Sequence, residues 1–143
     1  MRLFRYLALV LSGVAALGAP GAHAQGNPRQ ILVGIILQLQ TVTPEPAWYG
    51  EQVWQSLITQ AGIPALRKLG PVQDIFLAGQ QQLPRGWVYS MSAQHPKGQS
   101  AWLLGISTTS NRIEYADFDV GAPVAAPPLP NSSDACKRFP RLC

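Results

Sequence analysis

Histidine, cysteine and charge are all scarce in this chain, and each shortage removes a class of chemistry. Only two histidines occur, His23 and His95. His23 falls in the leader described below, so His95 stands alone, beside Pro96 in a turn. A general base must be positioned against its partner, and a zinc site needs several His, Cys or carboxylate ligands converging. A lone turn histidine is expected to be solvated, and neither a catalytic metal nor a cofactor is expected. No glycine-rich phosphate loop and no Gly-x-Ser-x-Gly elbow occurs. Charged residues make up 13% of the chain, and subtracting Arg2 and Arg5 from the net charge of +4 leaves about +2. That balance is too small to indicate nucleic acid as a partner.

The few carboxylates do not form an obvious catalytic pair. Asp117 and Asp119 lie two apart on one predicted strand, hence on one face. Glycoside chemistry needs two carboxylates opposed across a cleft. Neighbours on one strand fit a solvated edge that resists sheet-to-sheet pairing.

What the chain does contain begins with an address. Arg2 and Arg5 precede an apolar core from Leu7 to Leu17, and Ala22-His23-Ala24 supplies small residues at a cleavage site. This is the secretory pattern, with residues 1–24 removed after Ala24 and a periplasmic or secreted product. The apolar run is short for a span and is interrupted by Gly18, Pro20 and Gly21, so no transmembrane anchor is expected after cleavage. In an oxidising compartment Cys136 and Cys143 can pair with each other or with a partner chain. An internal bridge closes a short ring, which is expected to pin the tail and add little to the core.

Residues 25–120 are long enough for one modest domain. The stretch 30–43 fits a helical stripe through Leu32, Ile35, Ile36, Leu39 and Val42. It also fits a strand through Ile35, Leu37 and Leu39. Its length and the Pro44-Glu45-Pro46 stop favour the helix. Residues 51–60 place Val53, Trp54, Leu57 and Ile58 on one face, and Pro64 opens a further short helix. Strands are predicted over 72–78, 86–94, 100–107 and 112–120, with a Gln-rich connection over 79–84. In the second, Trp87, Tyr89, Met91 and Ala93 alternate with Val88, Ser90 and Ser92. In the third, Trp102, Leu104 and Ile106 share a face. Tight turns impose antiparallel pairing on the last three strands. The fold class is therefore α+β, with N-terminal helices packed on a curved antiparallel four-stranded sheet. Residues 121–143, with Pro123, Pro127, Pro128 and Pro130, read as a Pro-rich flexible tail without packed structure. Asn131-Ser132-Ser133 matches a glycosylation acceptor, which matters only in a eukaryotic source.

The run Leu69-Gly70-Pro71-Val72, then Trp87-Val88-Tyr89, then Ser100-Ala101-Trp102 and the turn before Arg112-Ile113 resembles the small exported bacterial domains of the NTF2-like (SnoaL-like) superfamily. The resemblance spans roughly Trp48 to Val120. It implies a cystatin-like cone with a pocket on the concave face. Enzymes of that superfamily place Asp, His or Tyr in the pocket, and no Asp–His pair matches here, so catalytic roles do not carry over.

Aromatic residues are the remaining candidates. Large rings are needed to fill a core, and they also line ligand pockets with their polar tips inward. Trp54, Tyr89, Trp102 and Tyr115 are the expected pocket residues. The resulting reading is a non-catalytic binding or accessory domain for a small apolar ligand or a periplasmic protein. Two alternatives stand beside it: a small-molecule enzyme using Tyr89 and Asp117, and a structural domain that forms a homodimer through its sheet. Lys137, Arg138 and Arg141 in the tail are expected to be solvated.

Overall fold

The computed structural model describes residues 26–143, so the leader expectation falls outside the described residues. Within them the order is α1 (Pro28–Thr41), α2 (Val53–Ile58), α3 (Ile63–Lys68), β1 (Asp74–Leu83), β2 (Gly86–His95), β3 (Gly98–Ser107), β4 (Ile113–Gly121) and α4 (Ser132–Arg138). The four strands form one antiparallel sheet in the order β1-β2-β3-β4. This is the α+β class expected. Among the described residues no helix is long and apolar enough to cross a membrane.

The ambiguous stretch is helix. Asn27 caps it, its Oδ1 accepting from the Arg29 N–H at 3.0 Å, and Pro28 sits in the first turn, where no intrahelical donor is needed. Leu32, Ile35, Ile36 and Leu39 are fully buried against the sheet. Leu37, whose alternation with Ile35 and Leu39 suggested a strand, is 57% exposed. Gln38, on the buried side, fastens the following loop. Its Oε1 accepts from the Tyr49 hydroxyl at 2.7 Å and from the Glu45 N–H at 3.0 Å.

Burial raises the Tyr49 hydroxyl pKa above the usual tyrosine range, and the Glu45 charge adds to the shift. The folded state therefore keeps this proton at a pH where the unfolded chain, titrating near pH ~10, has lost it. Stability from this group is whole below pH ~10 and falls as pH rises beyond it. Tyr49→Phe should cost about 1 kcal/mol at neutral pH through the lost hydrogen bond. The variant should then lose less stability than the parent between pH ~9 and ~11, read as urea midpoints across that range. A parallel decline in both proteins would remove Tyr49 from the alkaline response.

The first strand is longer than its pattern implied. It continues through Gln80–Gln82 to Leu83, pairing with Trp87–Tyr89, after a bulge between Leu77 and Gly79. The expected Gln-rich connection is thus edge strand. Its exposed polar positions hide the apolar alternation on which strand recognition depends.

The sheet is covered on both faces. On one, Trp102, Leu104, Met91, Ile113 and Phe118 meet α1, α2 and α3. On the other, Leu83, Val88 and Leu103 meet Ala135, Phe139 and Leu142, with Leu129 and Tyr115 alongside. The tail read as flexible and unpacked therefore forms a third layer. Its proline segment crosses the sheet with the Ser90 hydroxyl donating to the Pro127 carbonyl and the Val124 N–H donating to Gln99 Oε1 at 3.1 Å. Phe139 and Leu142 are each 1% exposed. Cys136 and Cys143 form a disulfide that closes the ring carrying both side chains. The ring is part of a core, contrary to the expectation that it only pins a loose end. Leu142 can seat because Gly86 and Gly105 have no side chains: a Cβ on either would lie 2.8 Å from a Leu142 methyl. The Arg85 N–H donates to the Leu142 carbonyl at 2.7 Å and locks the ring to the β1–β2 turn.

Candidate functional site

The four aromatic residues expected to share a pocket are divided among separate places. Trp102 is fully buried at the centre of the sheet, stacked on Phe118 with ring centroids 4.7 Å apart. It is part of the helix-side core. Trp54 tilts against Tyr49 at 5.3 Å and borders a shallow hollow near Pro44 and Pro46. Tyr115 lies on the opposite face of the sheet, edge-on to Phe139 at 4.8 Å. Only Tyr89 occupies the helix-side face near the end of the strands, packed at the margin of the main core.

Tyr89 is joined there by Trp87, which pattern reading placed on the same face but did not select. Their rings lie 6.4 Å apart at 16°, a near-parallel stack. Together with Ile106, Thr108 and Asn111 they line a recess of about 260 Å³ at the end of the sheet formed by the β3–β4 turn. Both rings are only half-buried. Burial raises the Tyr89 pKa, so its hydroxyl stays a proton donor. Among the described residues neither that hydroxyl nor the Trp87 indole N–H has a hydrogen-bond partner. The Trp102 indole and Tyr49 hydroxyl, by contrast, are committed to Ser100 and Gln38. The two uncommitted polar tips are the feature that spacing alone does not reveal.

His95 is not a solvated turn residue. It is buried, with Nδ1 2.9 Å from the Gly70 carbonyl and Nε2 2.9 Å from Ser100 Oγ. A carbonyl only accepts, so Nδ1 carries the proton and Nε2 accepts from the Ser100 hydroxyl. Ser100 Oγ in turn accepts from Trp102 Nε1–H at 2.8 Å. Gln40 Nε2 reaches the same Gly70 carbonyl at 2.9 Å and the Leu66 carbonyl at 3.1 Å. The chain of bonds ties α1, α3, β2 and β3 together. A serine beside a histidine suggests a nucleophile and its base, but Ser100 is fully buried and its oxygen is held by the Trp102 indole. No substrate carbonyl can reach it, so the pair is structural.

Asp117 does not pair with Tyr89. Asp117 pairs in register with Leu103, whose side chain belongs to the tail-side cluster, whereas Tyr89 packs on the helix side. Tyr89 and Asp117 therefore project from opposite faces of the sheet. Among the described residues no three His, Cys, Asp or Glu side chains gather as metal ligands. Compared with models of protein families, with curated proteins and with solved structures, the chain matches none of them.

Proposed function

We propose that this chain is an exported, non-catalytic binding or accessory domain of the NTF2-like type, and that it seats a small, largely apolar ligand in the recess of Trp87 and Tyr89. The observation that carries the reading is the stacked, half-buried pair whose hydroxyl and indole N–H have no partner within the described chain. A ligand ring can lie against such a pair while one or two polar atoms take up the free donors. A volume of about 260 Å³ suits a ligand of one or two rings. The leader pattern over residues 1–24 and the Cys136–Cys143 disulfide both suit an oxidising compartment outside the cytoplasm. The single antiparallel sheet with helices on one face suits an NTF2-like cone, while the tail layer on the other face is an addition to that plan.

Native mass spectrometry of protein purified from its producing organism should show a retained small molecule. Trp87→Ala and Tyr89→Ala should each lose it, because a stacked aromatic and its hydrogen bond contribute about 1–3 kcal/mol, or roughly tenfold to a hundredfold in affinity. Tyr89→Phe should weaken retention less. A ligand kept by both alanine variants would move the site elsewhere. The homodimer reading draws on Phe76, 64% exposed on edge strand β1. The same spectra would favour it if they showed only a ligand-free dimer.

A further inference from the structure

Three arginines distant in sequence line one groove on the other side of the β3–β4 turn. Arg85 comes from the β1–β2 turn, Arg112 from the entry to β4 and Arg141 from the C-terminal ring. The groove encloses about 410 Å³, with Thr109 on its wall and Glu51 and Glu114 as its only carboxylates. Gathering like charges is unfavourable unless something answers them. Glu114 answers only one. Its Oε2 faces Arg141 Nη1 at 3.4 Å, while its Oε1 accepts from the Ser110 hydroxyl at 3.0 Å. Arg141 Nη1 also donates to the Glu51 carbonyl at 3.0 Å, which fixes its direction. Among the described residues the guanidinium groups of Arg85 and Arg112 have neither an ion pair nor a hydrogen bond. Two arginines with unpaired guanidinium groups thus line a hollow whose third arginine is held in place.

We propose that this groove is an oxyanion site that takes a phosphate or carboxylate group of a small molecule. A guanidinium presents two parallel N–H donors that match the two oxygens of such a group. An anionic membrane is the weaker occupant, because three arginines, one of them already paired with Glu114, supply little attraction to a broad negative surface. The inference does not rest on the aromatic recess, which lies on the helix side of the same turn.

The test uses the disulfide-intact protein purified from its producing organism, titrated calorimetrically with pyrophosphate and with citrate at low ionic strength. Saturable binding of either probe is expected, weakening as salt is added. Arg85→Ala and Arg112→Ala should each reduce affinity by about tenfold. Both side chains are exposed, so the fold should persist in both variants. Arg67→Ala, on α3 near the opposite end of the sheet, should leave affinity unchanged. The proposal is overturned if neither probe binds, or if Arg67→Ala weakens binding as much as Arg85→Ala. It is also overturned if phosphatidylglycerol vesicles bind through Arg85 and Arg112 while both free anions do not.

Discussion

Phe139→Ala should lower the stability of the domain by about 3–5 kcal/mol, the range for emptying an aromatic site in a packed interior. Domains of this size are stable by roughly 5–15 kcal/mol in total, so the loss would be a large share. The prediction follows from the third layer. Phe139 lies edge-on to Tyr115 and packs with Leu83, Val88, Leu103 and Leu142 on the face of the sheet turned away from α1. Truncation opens that cluster and weakens the seat of Leu142 between Gly86 and Gly105. Reducing the Cys136–Cys143 bridge should act on the same layer more mildly, by roughly 2 kcal/mol, from the chain entropy returned to so short a ring. Urea midpoints of the parent, the variant and the reduced parent would rank the three. Hydrogen exchange at the Arg85 amide, which donates to Leu142, separates local release of the ring from global unfolding. A Phe139→Ala midpoint unchanged within about 0.5 kcal/mol would mean that the tail contributes no packing.

His95→Leu should cost about 3 kcal/mol despite a conservative change of volume. It removes two buried hydrogen bonds and leaves the Ser100 hydroxyl without an acceptor in a fully buried position. Leaving one partner of a buried bond unpaired costs more than removing both. Gln40 keeps the Gly70 carbonyl partly satisfied, which limits the loss. The Trp102 indole, bonded to the same Ser100 oxygen, should show a changed emission spectrum in the folded variant. Equal urea midpoints for parent and variant would show that the network adds nothing to cohesion.

Strands β2 and β3 were legible because they are central and carry large apolar residues at alternate positions. Trp87, Tyr89, Met91 and Ala93, and then Trp102, Leu104 and Ile106, do share the helix-side face. Alternation gives the face of a residue but not its depth along the strand. Trp102 and Tyr89 therefore read alike in sequence, although one is at the centre of the sheet and the other at its open end. The tail was illegible for a different reason. Phe139 and Leu142 are two apolar residues in an eight-residue ring, too few to show any period. Their counterpart signal lay elsewhere, in Gly86 and Gly105, two glycines on neighbouring strands that leave room for Leu142. His95 and Ser100 face each other only because a tight hairpin pairs His95 with Gly98. Proline and glycine beside the histidine announced the turn and concealed the burial.

The division of the aromatic residues into buried supports and one open seat can be read from a single nitrogen–proton correlation spectrum of the indole groups. The Trp102 indole proton should exchange slowly and should not shift when a panel of small aromatic compounds is added. The Trp87 indole proton should exchange fast and shift with any compound that binds. Shifts confined to Trp54, or a Trp102 signal that exchanges and moves with the compounds, would mean that the Trp87–Tyr89 recess is not the ligand seat.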